Sequence, residues 1–219
     1  SDTTITTTGD GSGGIMTTGG GVTIASNLTI ETSGRSSAAI RTDRGGGTVT
    51  VDGGSYTTNG LGSPAIYSTA DISVANAQLV SNLSEGVCIE GKNSITLTDC
   101  DLTASNTQCN GNATFLDSIM IYQSMSGDSE EGTTYCTMVG GVLKANNQSE
   151  NGNAKMFYTT NTYCYISLSD VEMIYPEGMD TFLLCACNTN QRGWGTAGAN
   201  GSECVLYTID QNIDGNIIY

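Results

Sequence analysis

Val49-Thr50-Val51-Asp52-Gly53-Gly54-Ser55-Tyr56 is followed 23 residues later by Ile72-Ser73-Val74-Ala75-Asn76-Ala77-Gln78-Leu79, and after another 23 by Ile95-Thr96-Leu97-Thr98-Asp99-Cys100-Asp101-Leu102. All three place an apolar or small residue at steps of two, three and two. The spacing returns at Cys136, Met138, Gly141, Leu143, then at Ile166, Leu168, Val171, Met173, and then at Cys204, Leu206, Ile209, Gln211, after intervals of 41, 30 and 38 residues. A step of two keeps side chains on one face of a strand. A step of three adds one residue at a bend and returns the chain to the same face. A 23-residue unit matches one coil of a parallel β-helix and is shorter than a propeller blade or a helical-hairpin repeat. The expected fold is therefore all-β, a solenoid of about seven coils with long loops on coils four to six. A weaker first unit is read at Val22, Ile24, Leu28 and Ile30. The surplus residues of the later intervals are expected to leave the coils as loops at Thr103–Asp117, Gln123–Tyr135 and Ala186–Glu203.

The repeat runs through most of the 219 residues without a linker, so residues 1–219 read as a single domain with 1–20 as an N-terminal lead-in. Both ends of such a stack are open, and no cap is visible at Asn216–Tyr219, which reads as a fragment of a longer protein with end-to-end or flanking-domain contacts. Net charge is −15, with seven Lys and Arg and no His. That balance repels phosphate backbones and anionic lipid and disfavours nucleic acid as a partner. No apolar run is long enough to span a bilayer, so no membrane insertion is expected. The Thr-rich, Lys-poor composition fits an extracellular protein.

Eight cysteines are present. Cys100, Cys136 and Cys204 fall on inward columns, where a thiol serves as a small hydrophobe. With Ile166 on the coil between them, Cys136 and Cys204 are out of disulfide reach. Cys88, Cys109, Cys164, Cys185 and Cys187 have no pairing legible from sequence, and mostly free, buried thiols are expected. Cys185-Ala186-Cys187 has no His and no second pair, which argues against a zinc site.

Each coil also has a third strand: Ala39-Ile40-Arg41, Pro64-Ala65-Ile66-Tyr67, Val87-Cys88-Ile89-Glu90, Ile119-Met120-Ile121-Tyr122, Met156-Phe157-Tyr158 and Phe182-Leu183-Leu184-Cys185. Ile66 and Ile89 each lie six residues before the next repeat and are aligned as inward. Alternation then turns Ala65, Cys88, Met120, Met156 and Leu183 outward, beside Arg41, Tyr67, Glu90, Tyr122, Tyr158 and Cys185. So apolar an outward face reads either as a recognition surface or as a satellite core under the 103–117 loop. The candidate binding residues are Tyr67, Glu90, Met120, Tyr122, Met156 and Tyr158. Arg192 and Trp194 join them from the 186–203 loop, which is expected to project beside the 123–135 loop toward a shared cleft. Asp128, Glu130 and Glu131 are weak candidates for Ca²⁺, but they lack an EF-hand order of ligands, so neither a metal nor any other cofactor is expected.

With these coils the chain resembles the right-handed parallel β-helix, or pectin-lyase-like, superfamily over residues 20–215. Ser63-Pro64-Ala65-Ile66-Tyr67-Ser68 and Glu85-Gly86-Val87-Cys88-Ile89-Glu90-Gly91-Lys92-Asn93 resemble repeats in adhesin-like surface proteins of Gram-positive gut bacteria. The resemblance implies a bacterial cell-surface location and a host glycoprotein or a polysaccharide as partner. It implies a lyase or glycoside hydrolase only where acid and base residues match. Pectate-lyase-like chemistry needs clustered Asp with a base, and only Arg192 lies near an acid cluster. The polygalacturonase-like set needs Asn-Thr-Asp, paired Asp, Gly-His-Gly and Arg-Ile-Lys. Asn188-Thr189-Asn190 lacks the acid, and the other motifs are absent. A noncatalytic binding module is the expected function. A polysaccharide-degrading enzyme, with carboxylates such as Asp128 and Glu203 drawn from loops, and a structural stalk are the alternatives.

Overall fold

A computed structural model describes residues 2–106, 116–124, 127–146, 154–185 and 202–218. Its strands follow the repeat. A partial coil supplies β1 (Thr3–Thr7) and β2 (Ile15–Thr17). In the next two coils the first and second strands run on as one: β3 (Gly21–Thr32) precedes β4 (Ile40–Thr42), and β5 (Gly47–Thr58) precedes β6 (Ile66–Ser68). Three-strand coils follow: β7 (Asp71–Ala75), β8 (Gln78–Ser81) and β9 (Val87–Glu90), then β10 (Ser94–Thr98), β11 (Asp101–Ala104) and β12 (Leu116–Tyr122). Next come β13 (Thr133–Val139), β14 (Val142–Ala145) and β15 (Ala154–Thr160), then β16 (Tyr163–Ser169), β17 (Glu172–Ile174) and β18 (Thr181–Cys185). The last coil holds β19 (Glu203–Ile209) and β20 (Asn216–Ile218).

Each strand pairs in parallel with its counterparts one coil before and one coil after. First and second strands share a 12-stranded sheet and third strands an 8-stranded one. The two arms of the larger sheet join at β5, whose first half pairs with β7 and second half with β8. The arrangement is consistent with a β-solenoid, and no helix long and apolar enough to cross a membrane occurs among the described residues.

The register explains the step of three. Val49, Ile72, Ile95, Cys136 and Ile166 form one inward column. Four residues after each, at the bend, sits a residue of positive φ. Asn76, Asp99 and Asp170 take φ of 54°, 50° and 54°, with Gly53 and Gly140 at the equivalent places. Asn and Asp enter this left-handed region more readily than other side chains because a short polar group bonds locally. Inside, Ile72, Leu79, Ile95, Leu97, Leu102 and Ile166 are almost wholly buried in one continuous core, each contributing roughly 1.5–3 kcal/mol. Buried hydroxyls at the corner bond to backbone, as Thr32 Oγ1 does to Ser37 O at 2.5 Å and Ser63 Oγ to Gly34 O at 2.9 Å, so they carry no desolvation debt.

Three expectations are corrected by the register. In the last coil Ile166 pairs with Leu206 and Cys164 with Cys204. The final unit is therefore shifted by two residues from Cys204, and Cys204 leaves the column of Cys136. In the first coil Thr23 and Ala25 pair with Val49 and Val51. Val22 and Ile24 instead face solvent at 71% and 80% exposure, while Leu28 and Ile30 hold their expected places. In the third strands Ile66 pairs with Val87 and Ser68 with Ile89. A slip of two preserves the face, so Tyr67 and Cys88 stay outward. Farther along, Phe157 pairs with Leu183 and Tyr158 with Leu184. Met156, Leu183 and Ala65 belong to the main core. At Leu183 a one-residue offset in aligning the strands reverses the side chain, whereas Met156 and Ala65 keep the alternate position beside the inward Phe157 and Ile66 and are buried against that core all the same. Cys185 likewise pairs with Thr159, one residue beyond the outward Leu184.

Candidate functional site

The outward column of the third strands runs Arg41, Tyr67, Cys88, Met120, Tyr158, Leu184. Parallel in-register pairing stacks equivalent positions of successive coils, which is why residues far apart in sequence share this column. The face is not open. Met120 is 0% and Tyr122 2% exposed, and both join Cys88, Tyr158 and Leu184 in a satellite cluster, with Tyr67 packed against it.

At its polar end the column carries a connected set of groups. Glu90 pairs with Tyr122 one coil on and is itself buried. Its Oε2 accepts from the Tyr67 hydroxyl at 2.8 Å and from the Tyr122 hydroxyl at 3.0 Å. Its Oε1 accepts from Ser124 Oγ. The Arg41 guanidinium lies 5.4 Å from the Tyr67 ring centroid, a cation–π distance, and its Nη2 donates to Asp43 Oδ2 at 2.8 Å. Asp43, Arg41, Tyr67 and Glu90 are thus joined in one chain of contacts. Burial pushes the Tyr67 and Tyr122 hydroxyls upward in pKa; the Glu90 charge adds to this at Tyr67, and the Tyr67 and Glu90 charges add to it at Tyr122. Both phenols therefore remain donors at any ordinary pH.

Beside this set lies a cavity of about 230 Å³ lined by Arg41, Tyr67, Glu85, Cys88 and Tyr122, with Ser36 and Pro64 among the smaller residues of its wall. Glu85 and Asp117 are a buried carboxyl pair behind it. Ser84 Oγ donates to Glu85 Oε2 at 2.5 Å. Both Asp117 carboxyl oxygens are buried without a hydrogen-bond partner among the described residues. Burial, and then the Glu85 charge, holds Asp117 well above the usual carboxylate range; burial raises Glu85 too. The same surroundings push the Cys88 thiol up, by burial first and then by Glu85, Asp117 and Glu90. Burial of both carboxyls favours their protonated forms, so the Glu85 carboxyl in this wall is an acid group able to donate. Lys155, the register partner of Asp117, is also lowered by burial, and its Nζ donates to Thr181 Oγ1 at 3.3 Å.

Of the residues singled out from sequence, Arg41, Tyr67, Glu90 and Tyr122 are brought together, Met120 and Tyr158 extend them as buried apolar support, and Met156 turns into the core. Arg192, Trp194, Cys109 and Cys187, and most of the 186–203 loop, lie outside the described residues, as does much of 103–117. The acids of the 123–135 loop run back along the stack. Asp128 pairs with Arg44, three coils earlier, and Glu130 with Lys92, while Lys92 N donates to Glu130 O at 3.0 Å. Glu131 lines a separate cavity of about 480 Å³ with Gln123, Thr133, Asn161 and Tyr163. These acids are therefore spread along a strap, and among the described residues no three acidic, thiol or imidazole groups converge on one point.

Sequence reasoning missed Glu85 and Asp117. Each sits two residues before the first paired inward residue of its third strand, Val87 or Ile119, and neither carries a motif. It also missed a line of exposed tyrosines on the larger sheet, where Tyr135 and Tyr165 stack at 5.3 Å and Tyr165 and Tyr207 at 6.0 Å. No known protein family, characterised protein or solved structure matches this chain.

Proposed function

We propose that this chain is a noncatalytic binding module of a bacterial cell-surface, adhesin-like protein, built as a right-handed parallel β-helix of the pectin-lyase-like kind. Its partner is a host glycoprotein or a polysaccharide, bound outside the cell without a cofactor. The observation that carries the reading is the cavity of about 230 Å³ between Arg41, Tyr67, Glu85 and Tyr122. Pockets for drug-sized ligands begin at about 300 Å³, so this one suits a single sugar unit. Hydroxyls, a guanidinium and one carboxyl beside two aromatic rings match the donors and acceptors of such a unit. The binding surface is thus the pocket at the end of the tyrosine column. The apolar column beneath it is support.

The test is a glycan array and a host-protein pull-down with wild type, Arg41→Ala and Tyr122→Phe. Loss of one hydrogen bond to a charged group weakens binding roughly 10- to 100-fold. Folded variants that bind as the wild type does would sink the reading.

A second reading, a hydrolase or lyase acting on acidic polysaccharide, is favoured by one observation, the buried carboxyls Glu85 and Asp117, both raised above the usual carboxylate range. A raised carboxyl is what a general acid requires. Release of reducing ends or unsaturated uronate by the wild type, abolished in Glu85→Gln, would replace the binding reading with this one.

A further inference from the structure

Cys164 and Cys204 occupy the same position on neighbouring parallel strands, β16 and β19. Such strands lie about 4.8 Å apart, inside the Cα separation of about 4.4–6.8 Å that a disulfide spans. In-register partners on neighbouring parallel strands point the same way, so the two thiols share one face of the sheet. They differ in access. Cys164 is fully buried, whereas Cys204 is half-buried and lines a cavity of about 390 Å³ with Cys185, Ser202 and Tyr163. The neighbouring Cys164 thiol also lowers the Cys204 pKa, while Cys164 itself is raised by Cys204 and then by burial. One thiol is an accessible nucleophile, and the other waits behind it. No other described cysteine competes from an equivalent place. Cys185 stands on β18, which pairs with β15 and β20, and its thiol contacts Ser202 Oγ at 3.2 Å. Cys136 is two coils from Cys204, with β16 between them.

We propose that Cys204 and Cys164 form a thiol–disulfide exchange site that takes a small disulfide through this cavity and closes a covalent bridge between the last two coils. In the first step the Cys204 thiolate attacks one sulfur of the small disulfide. A Cys204–S–S–R bond forms, the original S–S bond breaks, and the departing thiolate takes up the proton that Cys204 has lost. In the second step Cys164 gives up its proton and attacks the Cys204 sulfur, forming the Cys164–Cys204 bond and releasing the second thiol. Two cysteine thiols are oxidised by two electrons, and the small disulfide is reduced to two thiols.

The experiment incubates the reduced full chain with glutathione disulfide, alkylates the remaining thiols and maps them by peptide mass spectrometry. The expected result is joint loss of alkylation at Cys164 and Cys204 together with a peptide cross-linked through them. Cys185→Ser should leave the bridge intact, and Cys164→Ser should stop with one glutathione on Cys204. Should Cys164→Ser fail to fold, Cys204→Ser serves instead, and its buried Cys164 should resist glutathione in the native state. Wild type that halts with glutathione on Cys204 and a free Cys164, a Cys185–Cys204 cross-link, or no reaction at Cys204 overturns the proposal.

Discussion

Successive coils approach closely at the bends, and a single added methyl group measures that approach. Gly141 lies at the bend of the β13–β14 coil with φ of 71°. A Cβ there would stand 2.6 Å from Cys100 N and nearer still to the Cys100 carbonyl oxygen, backbone atoms of the coil below. Gly46 has a similar φ of 64°, yet a Cβ there would meet nothing within 4 Å. Gly46→Ala thus isolates the backbone cost, about 1–2 kcal/mol for an L residue in the left-handed region. Gly141→Ala adds overpacking against atoms that cannot rotate away, about 1–3 kcal/mol more. For a domain of this size each kcal/mol moves Tm by about 2–4 °C. The expected losses are about 5 °C for Gly46→Ala and about 10 °C for Gly141→Ala. Thermal and urea unfolding followed by far-ultraviolet circular dichroism reads both. Equal losses, or a smaller loss at Gly141, would refute the stacking of coils on which the register rests.

Asp117→Asn should raise stability at pH 7 and flatten its pH dependence. The raised Asp117 carboxyl keeps its proton in the folded state where the unfolded chain has released it, so its contribution is full below about pH 4 and is lost as pH rises through the folded value. Urea midpoints at several pH values decide, and an unchanged slope in the variant contradicts the assignment. Tyr67→Phe with Tyr122→Phe leaves the Glu90 carboxylate short of two donors and should cost about 3 kcal/mol or more; adding Glu90→Leu should restore part of it, and a triple variant weaker than the double would count against this account. Ile24→Thr, on the exposed face, should change stability by less than about 0.5 kcal/mol, whereas Ile95→Ala should cost about 2–5 kcal/mol; comparable losses would show the first coil to be paired in the other register.

The repeat was legible where two signals coincided. Apolar steps of two, three and two identify five of the six repeats, from Val49 to Met173, because every coil buries them against the same core. In the last coil Cys204 mimics the first position, and apolar pattern alone cannot separate it from Leu206. The bend can: Asp210, with φ of 49°, stands four residues after Leu206, as Asn76 stands after Ile72 and Asp170 after Ile166. Asn27 marks Thr23 in the first coil by the same rule. The third strands carry no such marker and are reached through connections of differing length, so Met156 is easily placed two residues out and Leu183 one. The acid pair at Glu85 and Asp117 had no local signal at all. It exists only because coils three and four place strand entrances side by side.

The strap from Gly127 to Glu131 alters how the molecule bears load. A simple stack couples each coil only to its neighbours, so an end peels one layer at a time. Here the Asp128 carboxylate reaches Arg44, and Glu130 reaches Lys92 through both its side chain and its carbonyl, tying coil four to coils one and three along the long axis. A pull on the N-terminal end is passed directly to the middle of the stack. The first four coils should therefore yield together under force, with the later coils left to separate singly.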